Sequence, residues 1–225
     1  HNPAGRVWRR DELERVSDIC RRHHVRVIAD EIHCELVMPG YEYTPFASLS
    51  DETSAITVTL NSPSKSFNTA GLMQSNVICS DTEMRRRVDR VINIFEVCEV
   101  NPFGPDALVA AYNESEEWLD ELNRYLYDNY LELKRFFAEY MPKIEVLKLE
   151  GTYLVWVDIS ALEFTSDELE AKLRDEGKVY LNSGTMYGRR AGQGYMRINI
   201  ACPRSRMIDG LTRMAKVLAP YMEDD

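Results

Sequence analysis

Residues 59–72 read TLNSPSKSFNTAGL, and they place one lysine, Lys65, just beyond the end of a short apolar strand. Small hydroxylated residues flank this lysine and a glycine follows it: Ser62, Ser64, Ser66, Thr69 and Gly71. Hydroxyl and backbone N–H groups in such a loop can hold a phosphate group. Taken alone, the segment also fits a solvated lysine in a polar loop, so both interpretations stay open at this point.

Short apolar strands and helices surround the lysine segment. Strands are predicted in VRVIADEI (25–32), AITVTL (55–60) and SNVICS (75–80). An amphipathic helix is predicted over 11–24, where apolar residues recur at helical spacing. This alternation predicts an α/β fold with a mainly parallel sheet that helices cover on both faces.

The second half of the chain has a different pattern. Helices are predicted over 81–97 and from Pro105 onward, followed by a long, strongly charged helix over 114–140. After Pro142 come four strands and two helices: IEVLKL, TYLVWVDI, VYLN and YMRINIA, with helices over 166–176 and 205–218. We therefore expect residues 1–113 to form part of a large domain, and residues 114–225 to form a linking helix and a small α+β domain.

The composition limits the classes of function. The 225 residues include 27 Lys+Arg and 37 Asp+Glu, a formal charge of −10. This acidic balance argues against nucleic-acid or membrane partners and favours a small-molecule ligand. The five cysteines form no CxxC pair, and no segment is apolar enough for a membrane span or a signal peptide. We expect a cytoplasmic protein, and the missing initiator Met and opening turn sequence HNPAGR suggest a piece of a longer chain.

A second candidate segment is VIADEIHCEL, in which Asp30 and Glu31 follow an apolar strand and His33 comes three residues after Asp30. Ligands of open α/β sheets gather at the carboxyl ends of strands, so Asp30 could face a cofactor. The alternative is that Asp30 caps the following turn and His33 is an ordinary polar residue. A metal site is disfavoured because no second cluster completes the ligand set.

Two further segments carry weaker signals. NPAGR (2–6) is typical of many turns. In YMRINIACPRS (195–205), Arg197 lies inside an otherwise apolar strand and needs a partner. Its planar guanidinium suits a substrate carboxylate, and an internal ion pair is the alternative.

Together, and in this order, the segments resemble the fold-type I pyridoxal-phosphate (PLP) enzymes of the aspartate aminotransferase superfamily, class I/II. The resemblance extends over nearly the whole chain, through HNPAGRVW, ADEIHCELV, NSPSKSFNTAGL, EGTYLVWVDI and GYMRINIACPRS. The stretch from Asp30 through EIH and the closing NIACPRS resemble the MalY/PatB-type cystathionine β-lyases more than ordinary aminotransferases.

The resemblance implies a role for each site residue. Lys65 and His33 would be the catalytic residues. Lys65 would form the imine with PLP and act as the base at the substrate Cα. Asp30 would pair with the pyridinium nitrogen, while Asn2, and His33 from a second position, would approach the phenolic oxygen. The remaining contacts are to the phosphate, from Ser62 and Ser64, and to the substrate α-carboxylate, from Arg197.

The sequence also departs from the family pattern. Met73 stands eight residues after the lysine, where many aminotransferases carry a phosphate-binding arginine. The family's glycine-containing phosphate loop, the aromatic residue that stacks on PLP and a tyrosine from the partner subunit would all precede residue 1. We therefore expect the 225-residue piece alone to be inactive.

The resemblance implies a C–S β-lyase that converts cystathionine or a related cysteine S-conjugate into thiol, pyruvate and ammonia. The complete protein would be a homodimer. An aminotransferase with the same lysine, aspartate and arginine is the first alternative. A non-catalytic or regulatory protein that keeps the PLP fold is the second.

Overall fold

A computed structural model describes residues 1–223. The chain divides into two compact units, and each is described by itself. The lysine unit comprises Val7–Val37 and Glu42–Glu121, and the arginine unit comprises His1–Arg6, Met38–Tyr41 and the described residues from Leu122 onward. Neither unit is continuous in sequence, and the domains expected over 1–113 and 114–225 stay a prediction.

The lysine unit combines a three-stranded sheet with four helices. Its strands are β1 (Val27–Asp30), β2 (Thr57–Asn61) and β3 (Asn76–Ile78); its helices are α1 (Arg10–Arg22), α2 (Asp51–Ala55), α3 (Thr82–Ile94) and α4 (Gly104–Glu114). Each strand and helix predicted for the lysine unit is present, although most are shorter than predicted or begin and end at neighbouring residues. The Asp81 carboxylate accepts a hydrogen bond from Met84 N at 2.7 Å, which fixes the start of α3.

The order of the sheet is β1-β2-β3. β1 and β2 are parallel, with Asp30 opposite Leu60, so both strands end at the same edge. β2 and β3 are antiparallel, which differs from the parallel arrangement expected for β3. The reason is the connection: residues 62–75 hold only turns and a short 3₁₀ helix, and no crossover helix returns the chain to the starting edge.

The arginine unit is built on a four-stranded antiparallel sheet in the order β4-β5-β7-β6. Its strands are β4 (Glu145–Val146), β5 (Leu154–Asp158), β6 (Asn182–Ser183) and β7 (Tyr195–Asn199). Its helices are α6 (Ser166–Gly177), α7 (Arg204–Leu218) and the part of α5 (Glu116–Tyr140) from Leu122 onward. β4 and β6 are shorter than the predicted IEVLKL and VYLN strands, because only two residues of each pair with a neighbour.

The core of the arginine unit is dense and apolar. Its fully buried side chains come from α5, the sheet and both following helices: Leu133, Phe137, Val155, Val157, Leu169, Leu173, Met196 and Met214. Arg197 in β7 lies opposite Trp156 of β5 and Asn182 of β6. The sheet register thus brings two distant segments beside the arginine. In the described part of the chain, no helix is long and apolar enough to cross a membrane.

Candidate active site

Lys65 lies in a turn that follows β2 directly. The turn spans residues 63–66 and is closed by a hydrogen bond from Phe67 N to Pro63 O at 2.9 Å. The Lys65 side chain is half-buried, and among residues 1–223 no hydrogen bond or ion pair engages its amine. A partly shielded amine without a protein partner is available for covalent chemistry.

Asp30 is placed at the same sheet edge as the lysine turn, since β1 and β2 are parallel and end side by side. Its carboxylate is exposed, and Oδ1 accepts a hydrogen bond from Ile32 N at 3.3 Å. One carboxylate oxygen therefore shapes the turn after β1, as the capping interpretation required. The other oxygen keeps its capacity to accept a hydrogen bond from a cofactor.

The two candidate phosphate ligands, Ser62 and Ser64, differ in the hydrogen bonds that their hydroxyl groups already form. Ser62 is buried; its Oγ donates to Gln74 O at 2.6 Å and accepts from Ser64 N at 3.1 Å. Its single proton thus closes the loop between residues 62 and 74. In the described chain the Ser64 hydroxyl has no protein partner, so Ser64 is the better placed of the two to donate to a phosphate.

His33 and Glu31 belong to the segment that follows β1. His33 is half-buried in the turn, and its backbone oxygen accepts from Leu36 N at 3.0 Å. Glu31 has a structural role: its carboxylate accepts hydrogen bonds from the Tyr43 hydroxyl and from Phe46 N. Burial, with the Glu31 carboxylate as the next cause, raises the pKa of Tyr43, so this phenol stays protonated.

The arginine unit holds the other two predicted site residues, and they touch each other. Arg197 Nη1 donates to Asn2 Oδ1 at 2.9 Å, and Nη2 donates to Asn182 Oδ1 at 3.1 Å. The guanidinium carbon lies 4.5 Å from the centre of the Tyr187 ring, which is cation–π geometry. The Trp156 ring packs edge-on against Tyr187 at 5.8 Å, so the arginine is held by neutral groups on several sides.

No carboxylate of the described residues forms an ion pair with Arg197. Its Nε is buried and, within residues 1–223, has no hydrogen-bond partner. A guanidinium has five N–H donors, and two are used by asparagine oxygens. The internal ion pair proposed as an alternative is therefore absent from the described chain, and one further N–H on each of Nη1 and Nη2 remains for a ligand.

Asn2 owes its position to the turn that contains it. Gly5 adopts a φ of +67°, and a Cβ there would lie 2.9 Å from Leu149 Cδ1. Gly5 O accepts hydrogen bonds from Glu150 N at 2.7 Å and Gly151 N at 3.1 Å. The positive φ favours glycine at this position, and the turn anchors NPAGR to the EGTYLVWVDI segment.

Comparison with known proteins assigns the chain to a family. Residues 1–213 match the model of the family described as aminotransferase class I and II. The chain belongs to this family. Cystathionine beta-lyase PatB from Bacillus subtilis is 39% identical over 219 residues, which are 97% of this chain and 56% of PatB. The chain therefore spans about half the length of the curated relatives that it matches.

Solved structures of the family agree with this placement. Cystalysin from Treponema denticola, which contains PLP, superposes with a TM-score of 0.95 at 34% identity, covering 98% of this chain and 56% of that one. A PLP-bound protein from Clostridium difficile 630 gives 0.94 at 42% identity, covering 97% and 56%. The predicted fold class, the resemblance to the MalY/PatB-type enzymes and the cofactor are confirmed.

The described residues fit PLP. An amine without a protein partner, a strand-end carboxylate with an oxygen to spare and an uncommitted hydroxyl all lie in the lysine unit: Lys65, Asp30 and Ser64. The roles given to these residues, and to Asn2, His33, Ser62 and Arg197, stay predictions.

Sequence reasoning missed two partners of the arginine. Asn182 ends the predicted VYLN strand, and Tyr187 lies in the glycine-containing loop after it. Neither belongs to a motif of its own. The contact of Asn182 with Arg197 follows from the pairing of β6 with β7, whereas Tyr187 lies in the 3₁₀ helix after β6. An asparagine at the end of a predicted strand is the only signal that could have indicated one of them.

Proposed function

We propose that the protein containing this chain is a PLP-dependent C–S β-lyase that acts on cystathionine or a related cysteine S-conjugate. The observation that carries the proposal is the Lys65 amine, which has no partner among the described residues and follows a strand that ends beside Asp30. The 39% identity to a relative named cystathionine beta-lyase supports the lyase over the aminotransferase.

PLP, when bound, supplies an electron sink for the charge that develops at the substrate Cα. Asp30 is the residue that would hold a proton on the ring nitrogen, because an adjacent carboxylate stabilises the protonated form. Asn2 would donate from its amide nitrogen to the phenolic oxygen, since its Oδ1 already accepts from Arg197. His33 would also contact that oxygen, as the resemblance implies, and Ser64, with Ser62, would contact the phosphate.

Lys65 and Arg197 would act on the substrate itself. The Lys65 amine would take the Cα proton, and the bond from Cβ to sulfur would break with release of the thiolate. Addition of water to the remaining three-carbon unit would give pyruvate and ammonia. Arg197 would offer the unused N–H groups of Nη1 and Nη2 to the α-carboxylate and so fix the direction in which the Cα–H bond points.

The cellular setting is part of the same proposal. We place the protein in the cytoplasm as a homodimer whose substrate is a small amino acid, with no nucleic-acid or membrane partner. All five cysteines are free thiols, which supports a reducing compartment.

The lyase and the aminotransferase can be distinguished by measuring which products form when no keto-acid acceptor is added. The protein expressed from the complete gene, loaded with PLP and given cystathionine, should release pyruvate and thiol in equal amounts, and Lys65→Ala should release neither. Turnover that requires an added keto acid would contradict the lyase and identify an aminotransferase. Full PLP binding with no turnover of any cysteine S-conjugate or amino-acid pair would favour a non-catalytic protein instead.

A further inference from the structure

A carboxylate beside the lysine turn has no role in the chemistry proposed above. Ser66 Oγ donates to Glu35 Oε2 at 2.6 Å, and Tyr112 OH lies 2.9 Å from Glu35 Oε1. Ser66 is fully buried and follows Lys65 directly in sequence. The two oxygens of one carboxylate thus join the lysine turn to helix α4.

The segment that carries Glu35 is tied to the end of β2 as well. Asn61, the last residue of β2, donates from Nδ2 to Cys34 Sγ at 3.4 Å, and its Oδ1 lies 3.0 Å from Tyr112 OH. Burial, followed by the Glu35 charge, raises the pKa of both Cys34 and Tyr112. Both groups therefore stay protonated, and Tyr112 remains a donor to the carboxylate.

Helix α4 also packs against the far end of the lysine turn. The Tyr112 ring of α4 meets the Phe67 ring edge-on at 5.6 Å, and the Trp118 ring of α5 stacks on Phe67 at 5.8 Å. The turn is consequently held by its backbone closure, by an aromatic contact and by Glu35.

Lys65 itself makes no side-chain hydrogen bond or ion pair with any described residue. Its direction depends on how the turn is seated, because no group of the described chain holds its amine. Of the contacts that seat the turn, the hydrogen bond from Ser66 to the carboxylate is charge-assisted, and such bonds are about twice as strong as neutral ones.

We propose that Glu35 is a positioning residue for Lys65 and acts through Ser66, with Tyr112 holding the carboxylate from the helix. This inference rests on the proposed function, since it assumes that Lys65 carries the cofactor. A small displacement of a reacting group costs rate far more than binding. Loss of Glu35 should therefore lower kcat and leave KM nearly unchanged.

The experiment uses the PLP-loaded protein expressed from the complete gene and three variants: Glu35→Gln, Ser66→Ala and Tyr112→Phe. Tyr112→Phe keeps the ring contact with Phe67 and removes only the hydroxyl. Ser17→Ala is the control, because it removes a buried hydroxyl hydrogen bond of 2.7 Å, to Thr53, in the same unit. The readouts are kcat and KM, melting temperature, and the visible circular dichroism per bound PLP, which reports the orientation of the cofactor on its lysine.

We expect Glu35→Gln and Ser66→Ala to lower kcat about 10-fold, as the loss of a hydrogen bond to a charged group does, with less than about 2-fold change in KM. The dichroism per bound PLP should fall with kcat. Tyr112→Phe should have a smaller effect in the same direction. The Glu35→Gln/Ser66→Ala double variant should be no slower than the slower single variant, because the two residues act in series. Ser17→Ala should lower the melting temperature only.

Two results would overturn the inference. One is a fall in melting temperature for Glu35→Gln and Ser66→Ala, as for Ser17→Ala, with kcat and dichroism unchanged. The other is kcat losses that multiply in the double variant. If Ser66→Ala does not fold, the near-isosteric Glu35→Gln and Tyr112→Phe decide the question. Failure of the proposed function looks different, because the unmodified protein would then lack covalently bound PLP or the lyase reaction altogether.

Discussion

At the scale of the residue, neutral neighbours hold the side chain of Arg197, to which we assign the substrate carboxylate. Two asparagine oxygens and one aromatic face orient its guanidinium, and no described carboxylate neutralises it. A charged group held this way keeps most of its attraction for an anion, which an internal ion pair would consume.

Replacing Arg197 tests that role. Arg197→Ala in the complete protein should raise KM about 10- to 100-fold, the range expected for a lost charged hydrogen bond, and lower kcat as well. The visible absorbance of bound PLP should stay nearly unchanged. Arg197→Lys should recover little, because a lysine lacks the planar fork. An unchanged KM in well-folded Arg197→Ala protein would remove this residue from the site.

Asn182→Asp asks whether the neutrality of the neighbours matters. The new carboxylate would lie on Arg197 Nη2 and form the internal ion pair that the described chain lacks. We expect KM to rise and the melting temperature to hold or increase, because the arginine gains an internal partner. Asn182→Ala is the matched control and should raise KM less. Equal KM values for the two variants would show that charge at this position has no influence on substrate binding.

At the scale of the element, helix α6 illustrates how the sequence specifies a boundary. Thr165 Oγ1 accepts from Glu168 N at 3.2 Å, and Thr165 N donates to Glu168 Oε2 at 2.8 Å, a reciprocal capping box. The segment TSDE carries this signature in the sequence itself.

The contribution of the Thr165 cap should be measurable as a change in the free energy of unfolding. Thr165→Ala should destabilise the protein by about 1 kcal/mol, the usual cost of losing such a cap, and lower its urea midpoint. Hydrogen bonds from the Thr165 backbone and side chain lower the pKa of Glu168. The carboxylate therefore contributes stability above its unfolded pKa of about 4.3 and loses it as the pH falls through the lower folded value.

The difference between Thr165→Ala and the unmodified protein should accordingly shrink below that range. Glu163→Ala, an exposed change two residues earlier, is the control and should leave the urea midpoint almost unchanged. A full-sized difference that persists at low pH would contradict the part assigned to Glu168.

The sequence pattern predicts the helices and strands but not the contacts between them. Periodicity located α5 and α7 to within two residues, because their apolar positions repeat within one segment. Periodicity predicted VYLN as a strand, yet Asn182 is the one residue of that stretch that lies in β6. The length of β6 depends on how many of its residues form hydrogen bonds with β7. The Glu35–Ser66 contact joins residues 31 positions apart, and no local pattern encodes such a distance.

Motif resemblance supplied what periodicity could not. Asn2 and Arg197 are 195 residues apart and lie in direct contact, and both were selected from motifs. Asn182 and Tyr187 were missed because they belong to none. The sequence also does not predict that the Ser62 hydroxyl donates to Gln74 O, because this hydrogen bond depends on the conformation of the loop between the two residues.

At the scale of the whole molecule, each of the two units carries some of the predicted site residues. The lysine unit carries Lys65, Asp30 and the hydroxyls, while the arginine unit carries Arg197 with Asn2. The chain spans about half of PatB and of cystalysin. The activity of the whole protein is therefore a proposal that must be tested in the product of the complete gene.

The account depends most directly on Lys65 as the covalent site of PLP. The protein expressed from the complete gene should be loaded with PLP, reduced with borohydride, digested with trypsin and mapped by mass spectrometry. Because a modified lysine resists trypsin, we predict an uncut peptide of residues 27–85 that carries the mass of the reduced cofactor. Lys65→Ala removes the cleavage site and should give the same stretch without that added mass. Covalent cofactor on another lysine, or tightly bound PLP that borohydride attaches to no lysine, would contradict the account.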